Sequence, residues 1–167
     1  MLIILSGLPG VGKTAIARRL ADQLGAIHLR VDSIEQALRE SGLINGPLND
    51  LGYRVAYAVA EDNLRLGRTV IADSVNPIQL TRDAWRKVAA KAAARAIEIE
   101  VKCSDVEEHR GRAAKRSADI PGFVPPAWEE IVSREYHPWD RKHIVVETAA
   151  CTVEECVGMI ESAIRNP

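Results

Sequence analysis

A phosphate-binding motif lies near the start of the sequence. Eight consecutive residues fit the pattern G-x-x-x-x-G-K-[ST], and they are Gly7, Leu8, Pro9, Gly10, Val11, Gly12, Lys13 and Thr14. Glycines in such a loop let the backbone wrap around an anion and point N–H groups inward. Lys13 offers a mobile charge to the β- and γ-phosphates, and the Thr14 hydroxyl is a ligand for Mg²⁺. The motif predicts ATP binding with Mg²⁺ at residues 7–14, and a catalytic role for Lys13.

Two aspartates follow predicted strands. Asp32 comes directly after the apolar stretch 26–31, and Asp73 ends the run Val70-Ile71-Ala72-Asp73. Ligands of open α/β sheets bind beyond the carboxyl ends of the strands, so both carboxylates are expected near the phosphate loop. We predict that Asp73 orients Mg²⁺ and that Asp32 is a general base for a substrate hydroxyl. The alternative for Asp73 is that it initiates a helix or a turn. The alternative for Asp32 is a helix N-cap, a role that does not exclude the catalytic one.

Short apolar runs alternate with amphipathic ones along the whole chain. This alternation predicts an α/β fold in which a parallel sheet lies between two layers of helices. The predicted strands cover about 2–5, 26–31, 69–72, 96–103 and 143–146. The predicted helices cover about 14–24, 32–40, 51–66, 77–95, 104–116, 127–136 and 152–164. Capping boxes are predicted at Ser104 with Glu107 and at Thr152 with Glu155.

Length and composition limit the class of protein. The length of 167 residues indicates a single domain over 1–167. The composition, with 47% apolar and 27% charged residues, is typical of a globular protein. The net charge of −1 argues against a dedicated nucleic-acid binder. The three cysteines form no CxxC pair, which is typical of a cytoplasmic protein. We expect no signal peptide and no membrane span, because the apolar runs are short.

A basic helix is predicted after the fourth strand. Its Arg112 and Arg116 are four residues apart and so share one face, and a loop containing glycine and prolines follows at 120–126. Together, residues of about 105–126 are predicted to form a lid whose arginines stabilise charge on a transferred phosphoryl group. The alternative is a solvated charged helix, since Glu107 and Glu108 precede the arginines.

The chain resembles the small P-loop kinases grouped around zeta toxin, chloramphenicol phosphotransferase, phage polynucleotide kinase and adenylylsulfate kinase. The resemblance rests on the motif at 7–14, Asp32, the stretch Asp73-Ser74-Val75-Asn76-Pro77 and the arginine helix. It implies a five-stranded sheet of order 2-3-1-4-5 with a helical lid, and ATP and Mg²⁺ as cofactors. It also implies that Asp32 is the catalytic aspartate and that Arg112 and Arg116 are the paired lid arginines, with Arg110 as a substitute.

One position departs from this group. Several members carry an arginine three residues after the catalytic aspartate, where it holds an anionic acceptor, but this chain has Glu35, with Arg39 on the same helical face. The acidic residue favours a neutral or cationic small-molecule alcohol, such as a sugar or aminoglycoside. Tyr53 and Asn76 are further acceptor-site candidates, although core packing explains Tyr53 and helix capping explains Asn76 nearly as well.

The remaining alternatives concern the activity and the assembly. A polynucleotide or RNA-end kinase would need a basic acceptor groove, and a non-catalytic ATP-dependent switch would bind nucleotide without acceptor-stimulated turnover. The expected partners are ATP and a small hydroxyl acceptor, and the chain is expected to be a monomer or homodimer. Arg134 is interpreted either as a nucleotide or lid contact or as part of a surface ion pair.

Overall fold

A parallel β-sheet forms the centre of the molecule, which is a computed structural model that describes residues 1–115 and 119–165. The strand order is β2-β3-β1-β4-β5, which confirms the predicted topology. The strands are β1 (Leu2–Ser6), β2 (Ile27–Arg30), β3 (Val70–Asp73), β4 (Ala96–Lys102) and β5 (Ile144–Glu147). The helices are α1 (Lys13–Leu24), α2 (Val31–Glu40), α3 (Leu51–Arg65), α4 (Gln79–Lys91), α5 (Val106–Lys115), α6 (Trp128–Val132) and α7 (Val153–Arg165).

Each face of the sheet carries its own apolar cluster. Alternate residues of β1 point to opposite faces, so Ile3 and Leu5 pack towards α1 and α7 while Leu2 and Ile4 pack towards α3 and α4. All residues of β1 and β3 are buried, which is why both strands read as continuous apolar runs in the sequence. The central position of β1 places the phosphate loop in the middle of the sheet edge.

Helix α4 begins later than the sequence predicts. Asn76 has a left-handed backbone with a φ of 47°, and Ile78 occupies the N-cap position, so the helix begins at Gln79 instead of residue 77. The expected N-cap role of Asn76 is therefore wrong. The Asn76 amide instead ties the loop after β3 to the core, because its Nδ2 donates to the Leu5 carbonyl at 3.1 Å and its Oδ1 accepts from the Trp85 indole at 3.0 Å.

The two predicted capping boxes have different outcomes. The box of α7 is confirmed, since the Glu155 N–H donates to Thr152 Oγ1 at 3.2 Å and the Thr152 N–H donates to Glu155 Oε2 at 2.8 Å. The box of α5 is wrong by one residue. Asp105 accepts from the Glu108 N–H at 2.9 Å, while the Ser104 N–H donates to Glu147. An Asp caps as well as a Ser, so the sequence alone does not choose between them.

A strap over residues 133–143 replaces the end of the predicted sixth helix. Helix α6 ends at Val132 instead of residue 136, and the strap then crosses the sheet to β5. Arg82 of α4 holds the strap by donating to the carbonyls of His137 at 2.9 Å and Pro138 at 3.3 Å. The same guanidinium stacks against Trp139 at 4.3 Å. These tertiary contacts stop the helix, although its sequence would allow another turn.

Within the described residues, no helix is long and apolar enough to cross a membrane.

Candidate active site

The phosphate loop connects β1 to α1 and has the backbone that its glycines require. Gly7 has a φ of 140°, and a Cβ at this position would lie 2.3 Å from the Val101 carbonyl oxygen, so only glycine fits against β4. Lys13 is 8% exposed, and its Nζ donates to the Leu8 carbonyl at 2.9 Å. The ammonium group is thus held inside the curve of the loop, where a phosphate would bind.

Asp73 lies beside Lys13 and Thr14 at the end of β3. Burial acts to raise the pKa of this carboxyl, but a hydrogen bond with His28, the charge of Lys13 and a hydrogen bond from Thr14 together lower it. Asp73 is therefore an anion held next to a hydroxyl. A carboxylate and a hydroxyl at the N-terminus of α1 are suitable donors for a hydrated Mg²⁺, so the residues present fit the expected metal.

His28 is a neighbour of this site that the sequence did not single out. Its Nε2 lies 3.1 Å from Asp73 Oδ2, and His28 is on β2, the strand next to β3. Because the carboxylate is ionised, this ring nitrogen carries the proton and donates. His28 thereby fixes the orientation of Asp73. The two residues meet because β2 lies next to β3 in the sheet, so this pair has no direct signal in the sequence.

A single open cavity of about 1040 Å³ joins the phosphate loop to the expected acceptor region. Asp32, in the first turn of α2, lines this cavity together with Lys13, Thr14 and Asp73. The cavity thus contains the base candidate, the lysine and both magnesium candidates. Of the other residues assigned to ATP, the acceptor or the lid, Pro9, Gly10, Gly12, Glu35, Arg39 and Arg112 also line it. The cavity lining does not include Gly7, Leu8 or Val11, which is consistent with a structural role for these three residues within the loop.

Helix α5 packs directly on the phosphate loop. His109 is 6% exposed, and its Nε2 lies 2.8 Å from the Pro9 carbonyl oxygen. A Cβ on Gly10 would meet both the His109 ring and Ala113 at 3.3 Å. The His109 ring also contacts Trp128 of α6 edge to face. A lid in this region stays a prediction, and sequence reasoning missed His109, the residue that contacts the phosphate loop from α5.

Arg112 lies on the β5 side of the loop. Its guanidinium donates to Thr148 Oγ1 at 2.9 Å and to the Thr148 carbonyl at 2.8 Å, and it also pairs with Glu108. Thr148 Oγ1 lies 3.0 Å from the Val11 carbonyl oxygen. In this arrangement Nη1 and Nη2 of Arg112 are engaged with Thr148 and Glu108, and the role of Arg112 over the γ-phosphate stays a prediction. The second lid arginine, Arg116, lies outside the described residues.

The acceptor end of the cavity carries charges of both signs. Glu35 and Arg39 form an ion pair at 3.6 Å, and the Glu35 side chain packs where a Cβ on Gly52 would stand. Burial raises the pKa of Glu35, and Asp32 adds to this effect while Arg39 and Arg134 oppose it. Arg134 lines the cavity, so the structure favours the site contact over the surface ion pair for this residue.

Tyr53 and Asn76 do not line the cavity. The Asn76 side chain is fully buried, and its amide is hydrogen-bonded to β1 and to Trp85. The Tyr53 hydroxyl accepts from the Asn76 N–H at 3.1 Å. Both predicted acceptor contacts are thus corrected to structural supports of the loop after β3. The sequence could not exclude a substrate role, because the partners that occupy these polar atoms are distant along the chain.

Comparison with known proteins identifies the family. Residues 2–128 match the AAA_33 family, described as an AAA domain, and this stretch is more than half of the chain. The chain belongs to this AAA domain family. The matched stretch includes the phosphate loop, Asp32, Asp73 and α5 but ends before β5, so the Thr148 contact of Arg112 lies outside it.

Relatives of this AAA domain cover nearly its full length. A protein of Aeropyrum pernix named "Probable adenylyl-sulfate kinase" is 27% identical, over 99% of this chain and 92% of its own. The cytidylate kinase of Ignicoccus hospitalis is 29% identical, over the same shares of 99% and 92%. The structure of the Mycobacterium tuberculosis APS kinase CysC in complex with AMPPNP and APS has a TM-score of 0.73. It is 19% identical over 98% of this chain and 96% of its own, and it supports the small P-loop kinase fold.

Proposed function

We propose that this protein is an ATP-dependent kinase that transfers the γ-phosphoryl group of Mg·ATP to a hydroxyl of a small molecule. The observation that carries the proposal is that one cavity is lined by Lys13 and Thr14 of the phosphate loop, by Asp73, and by the carboxylate of Asp32. The names of the two curated relatives, an adenylyl-sulfate kinase and a cytidylate kinase, support phosphotransferase chemistry.

The nucleotide side of the site holds and polarises the triphosphate. Backbone N–H groups of the loop and the N-terminus of α1 would bind the phosphate oxygens. Lys13 would exchange its bond with the Leu8 carbonyl for the β- and γ-phosphates. Thr14 and Asp73 would hold Mg²⁺, which when bound neutralises charge on the phosphates. Positioning and charge stabilisation account for most of the catalysis in such a transfer.

The acceptor side of the site supplies the base. Asp32 would accept the proton of the acceptor hydroxyl. At the same time the hydroxyl oxygen would form a bond to the γ-phosphorus of ATP, and the bond between that phosphorus and the ADP oxygen would break. Asp32 lies in the first turn of α2, at the end of this helix that points to the phosphate loop side of the cavity. Gln36, one turn further on, lines the same cavity, and its Nε2 donates to Glu40 Oε1 at 2.9 Å.

The charges around Asp32 favour an acceptor without a phosphate next to the reacting hydroxyl. Asp32 and Glu35 face Arg39 and Arg134, and Arg39 is already paired with Glu35. Among the described residues 1–115 and 119–165, this end of the cavity therefore has no surplus of positive charge to bind an anion. We infer a neutral or cationic polyhydroxyl acceptor of the sugar or aminoglycoside type. The names of the relatives indicate anionic nucleotide acceptors for those proteins. Cytidine monophosphate and adenylyl sulfate are therefore included among the acceptors tested.

The test is an acceptor screen that follows ADP release from Mg·ATP. The acceptors are ribose, gluconate, kanamycin, cytidine, cytidine monophosphate, adenylyl sulfate and an RNA with a free 5′-hydroxyl. We expect stimulation by a sugar or aminoglycoside and transfer of the γ-phosphate to it. In an Asp32→Asn control, transfer should fall by at least about 100-fold, while ATP binding persists.

The other outcomes separate the rival functions. Stimulation by the RNA alone, with strong salt dependence, would indicate an RNA-end kinase. Tight ATP binding without stimulation by any acceptor would favour a nucleotide-dependent switch. Either result would refute the small-molecule kinase proposal.

A further inference from the structure

Arg30 connects the base candidate to the segment that follows α5. Its Nη1 donates to Asp119 Oδ2 at 2.8 Å, and its Nη2 lies 3.6 Å from Asp32 Oδ2. Arg30 is the last residue of β2, Asp32 is two residues further on in α2, and Asp119 is 89 residues away from Arg30 in sequence. One cation thus contacts two carboxylates from distant parts of the chain.

The guanidinium of Arg30 is buried and only partly hydrogen-bonded. Its side chain is 5% exposed, and neither Nε nor Nη2 has a hydrogen-bond partner among the described residues. Buried donors without an acceptor are costly and rare, so a partner is expected at some stage of the reaction cycle. The Asp32 carboxylate already lies at ion-pair distance from Nη2 and would need to move by less than about 1 Å to accept a hydrogen bond.

Asp119 is well placed to fix the Arg30 guanidinium. It accepts from Arg30 and also pairs with Arg18 of α1, and these two arginines lower its pKa to about 2, mainly through the Arg30 hydrogen bond. The carboxylate is therefore ionised throughout the physiological pH range. Since Arg18 contacts Asp119 and has no ion pair with Asp32, it provides an internal comparison for the role of Arg30.

We propose that Arg30 is a positioning residue, which holds the Asp32 carboxylate towards the acceptor while Asp119 keeps the guanidinium from turning away. This inference rests on the proposed kinase function. The link would make the orientation of the Asp32 carboxylate depend on the position of Asp119. A correctly oriented base is what in-line transfer requires.

The experiment measures kcat, the KM for acceptor and the Kd for ATP in four variants, using the acceptor that gives the highest rate in the screen. We expect Arg30→Gln to lower kcat by about 10- to 100-fold, with the Kd for ATP unchanged within about twofold. Arg30→Lys should recover part of the loss in kcat. Lysine keeps the positive charge but lacks the two terminal guanidinium nitrogens that reach both carboxylates. Asp119→Asn should lower kcat by a smaller factor, and the control Arg18→Gln should stay within about twofold of wild type.

The double variant Arg30→Gln with Asp119→Asn separates positioning from a general structural effect. If Asp119 acts through Arg30, the double variant is no slower than Arg30→Gln alone. Additive losses of kcat, or an equal loss in Arg18→Gln and Asp119→Asn, would overturn the inference. Asp119 is partly exposed, so Asp119→Asn keeps the test valid even where Arg30→Gln fails to fold.

The two proposals fail in different ways. An active wild type with an unchanged kcat in Arg30→Gln would refute the role of Arg30 and leave the kinase function intact. A wild type without acceptor-stimulated turnover would refute both.

Discussion

Lys13 is the residue on which the proposed phosphoryl transfer would depend most directly. Its ammonium group is buried inside the loop and hydrogen-bonded to the Leu8 carbonyl, so it has one backbone partner to exchange for phosphate oxygens. We predict that Lys13→Ala lowers kcat by at least about 100-fold, because a charge aimed at the transition state is lost. The free energy of unfolding should change little, which urea denaturation checks. Unchanged turnover in this variant would remove Lys13 from the mechanism.

His28 is predicted to affect magnesium use through Asp73. A group that orients a metal ligand without touching the metal typically changes metal affinity by about 10- to 100-fold when it is removed. His28→Gln should therefore raise the Mg²⁺ concentration for half-maximal rate by about tenfold, measured by Mg²⁺ titration at saturating ATP. His143→Gln is the matched control. Nε2 of His143 lies 3.1 Å from Oε2 of Glu100, a buried carboxylate on β4, which is the same distance as between His28 and Asp73. Equal effects of both changes would contradict the prediction.

Sequence reasoning located the residues of the phosphate loop and both strand-end aspartates, because each follows a strand within one short stretch of chain. It failed where a polar group is satisfied by a distant partner. The sequence suggests a helix cap or substrate contact for Asn76, but its amide is hydrogen-bonded to β1 and α4. His28 and His109 have no local signal, since their partners are 45 and 100 residues away. The Asp119 partner of Arg30 is likewise 89 residues away, although Asp32 is a near neighbour in sequence.

At the scale of elements, the strap over 133–143 determines where the loop after β3 can lie. Arg82 is 1% exposed and donates to the carbonyls of Asn76 at 3.0 Å and of His137 at 2.9 Å, so it binds this loop and the strap together. The strands and long helices were predictable from apolar periodicity. The strap and the short α6 were not, because a buried arginine that satisfies several carbonyls has no periodic signature in sequence.

Arg82 should accordingly be a major contributor to stability. We predict that Arg82→Met lowers the free energy of unfolding by about 3 kcal/mol, because several carbonyls lose their donor in the interior. The matched control is Arg86→Met, one turn further along α4, whose side chain is 53% exposed and whose ion pair with Glu98 is long, at 3.9 Å. That change should cost less than about 1 kcal/mol. Urea denaturation of both variants checks the prediction, and losses of equal size would contradict it.

At the scale of the whole molecule, the candidate site exists only because the sheet order brings the ends of β1, β2 and β3 together. The order was expected from family resemblance and is confirmed, and with it the convergence of Asp32 and Asp73 on the phosphate loop. The acceptor side is different. It is built from α2, the loop at 122–126 and Arg134, and the sequence does not fix how these segments pack. This is why the activity class was easier to infer than the acceptor.

The same long-range ion pairs determine how stability depends on pH. Asp119 has an ordinary pKa of 3.8 and a folded-state pKa of about 2, so the folded state favours its ionised form. Its contribution to stability is therefore fully present above about pH 4 and is lost as the pH falls towards 2. The pKa values of Asp73 and Glu100 are also lowered, so their contributions are lost on acidification as well. We predict that urea midpoints fall steeply over this acidic range and stay nearly constant from about pH 5 to 7.

Asp119→Asn should lower the urea midpoint at neutral pH, because the neutral amide loses the charge attraction to Arg18 and Arg30. It should also make the fall of the midpoint in acid shallower, because residue 119 then has no carboxylate to protonate. The comparison is Asp22→Asn, which removes a 3.4 Å pair between Arg19 and a carboxylate that is 79% exposed. An exposed pair of this kind contributes little, so the Asp22→Asn curve should follow the wild type. Of these two carboxylates, Asp119 pairs with α1 and β2, whereas Asp22 pairs within its own helix. If the two variants gave the same pH dependence, the link from Asp119 to the core would therefore not stabilise the fold.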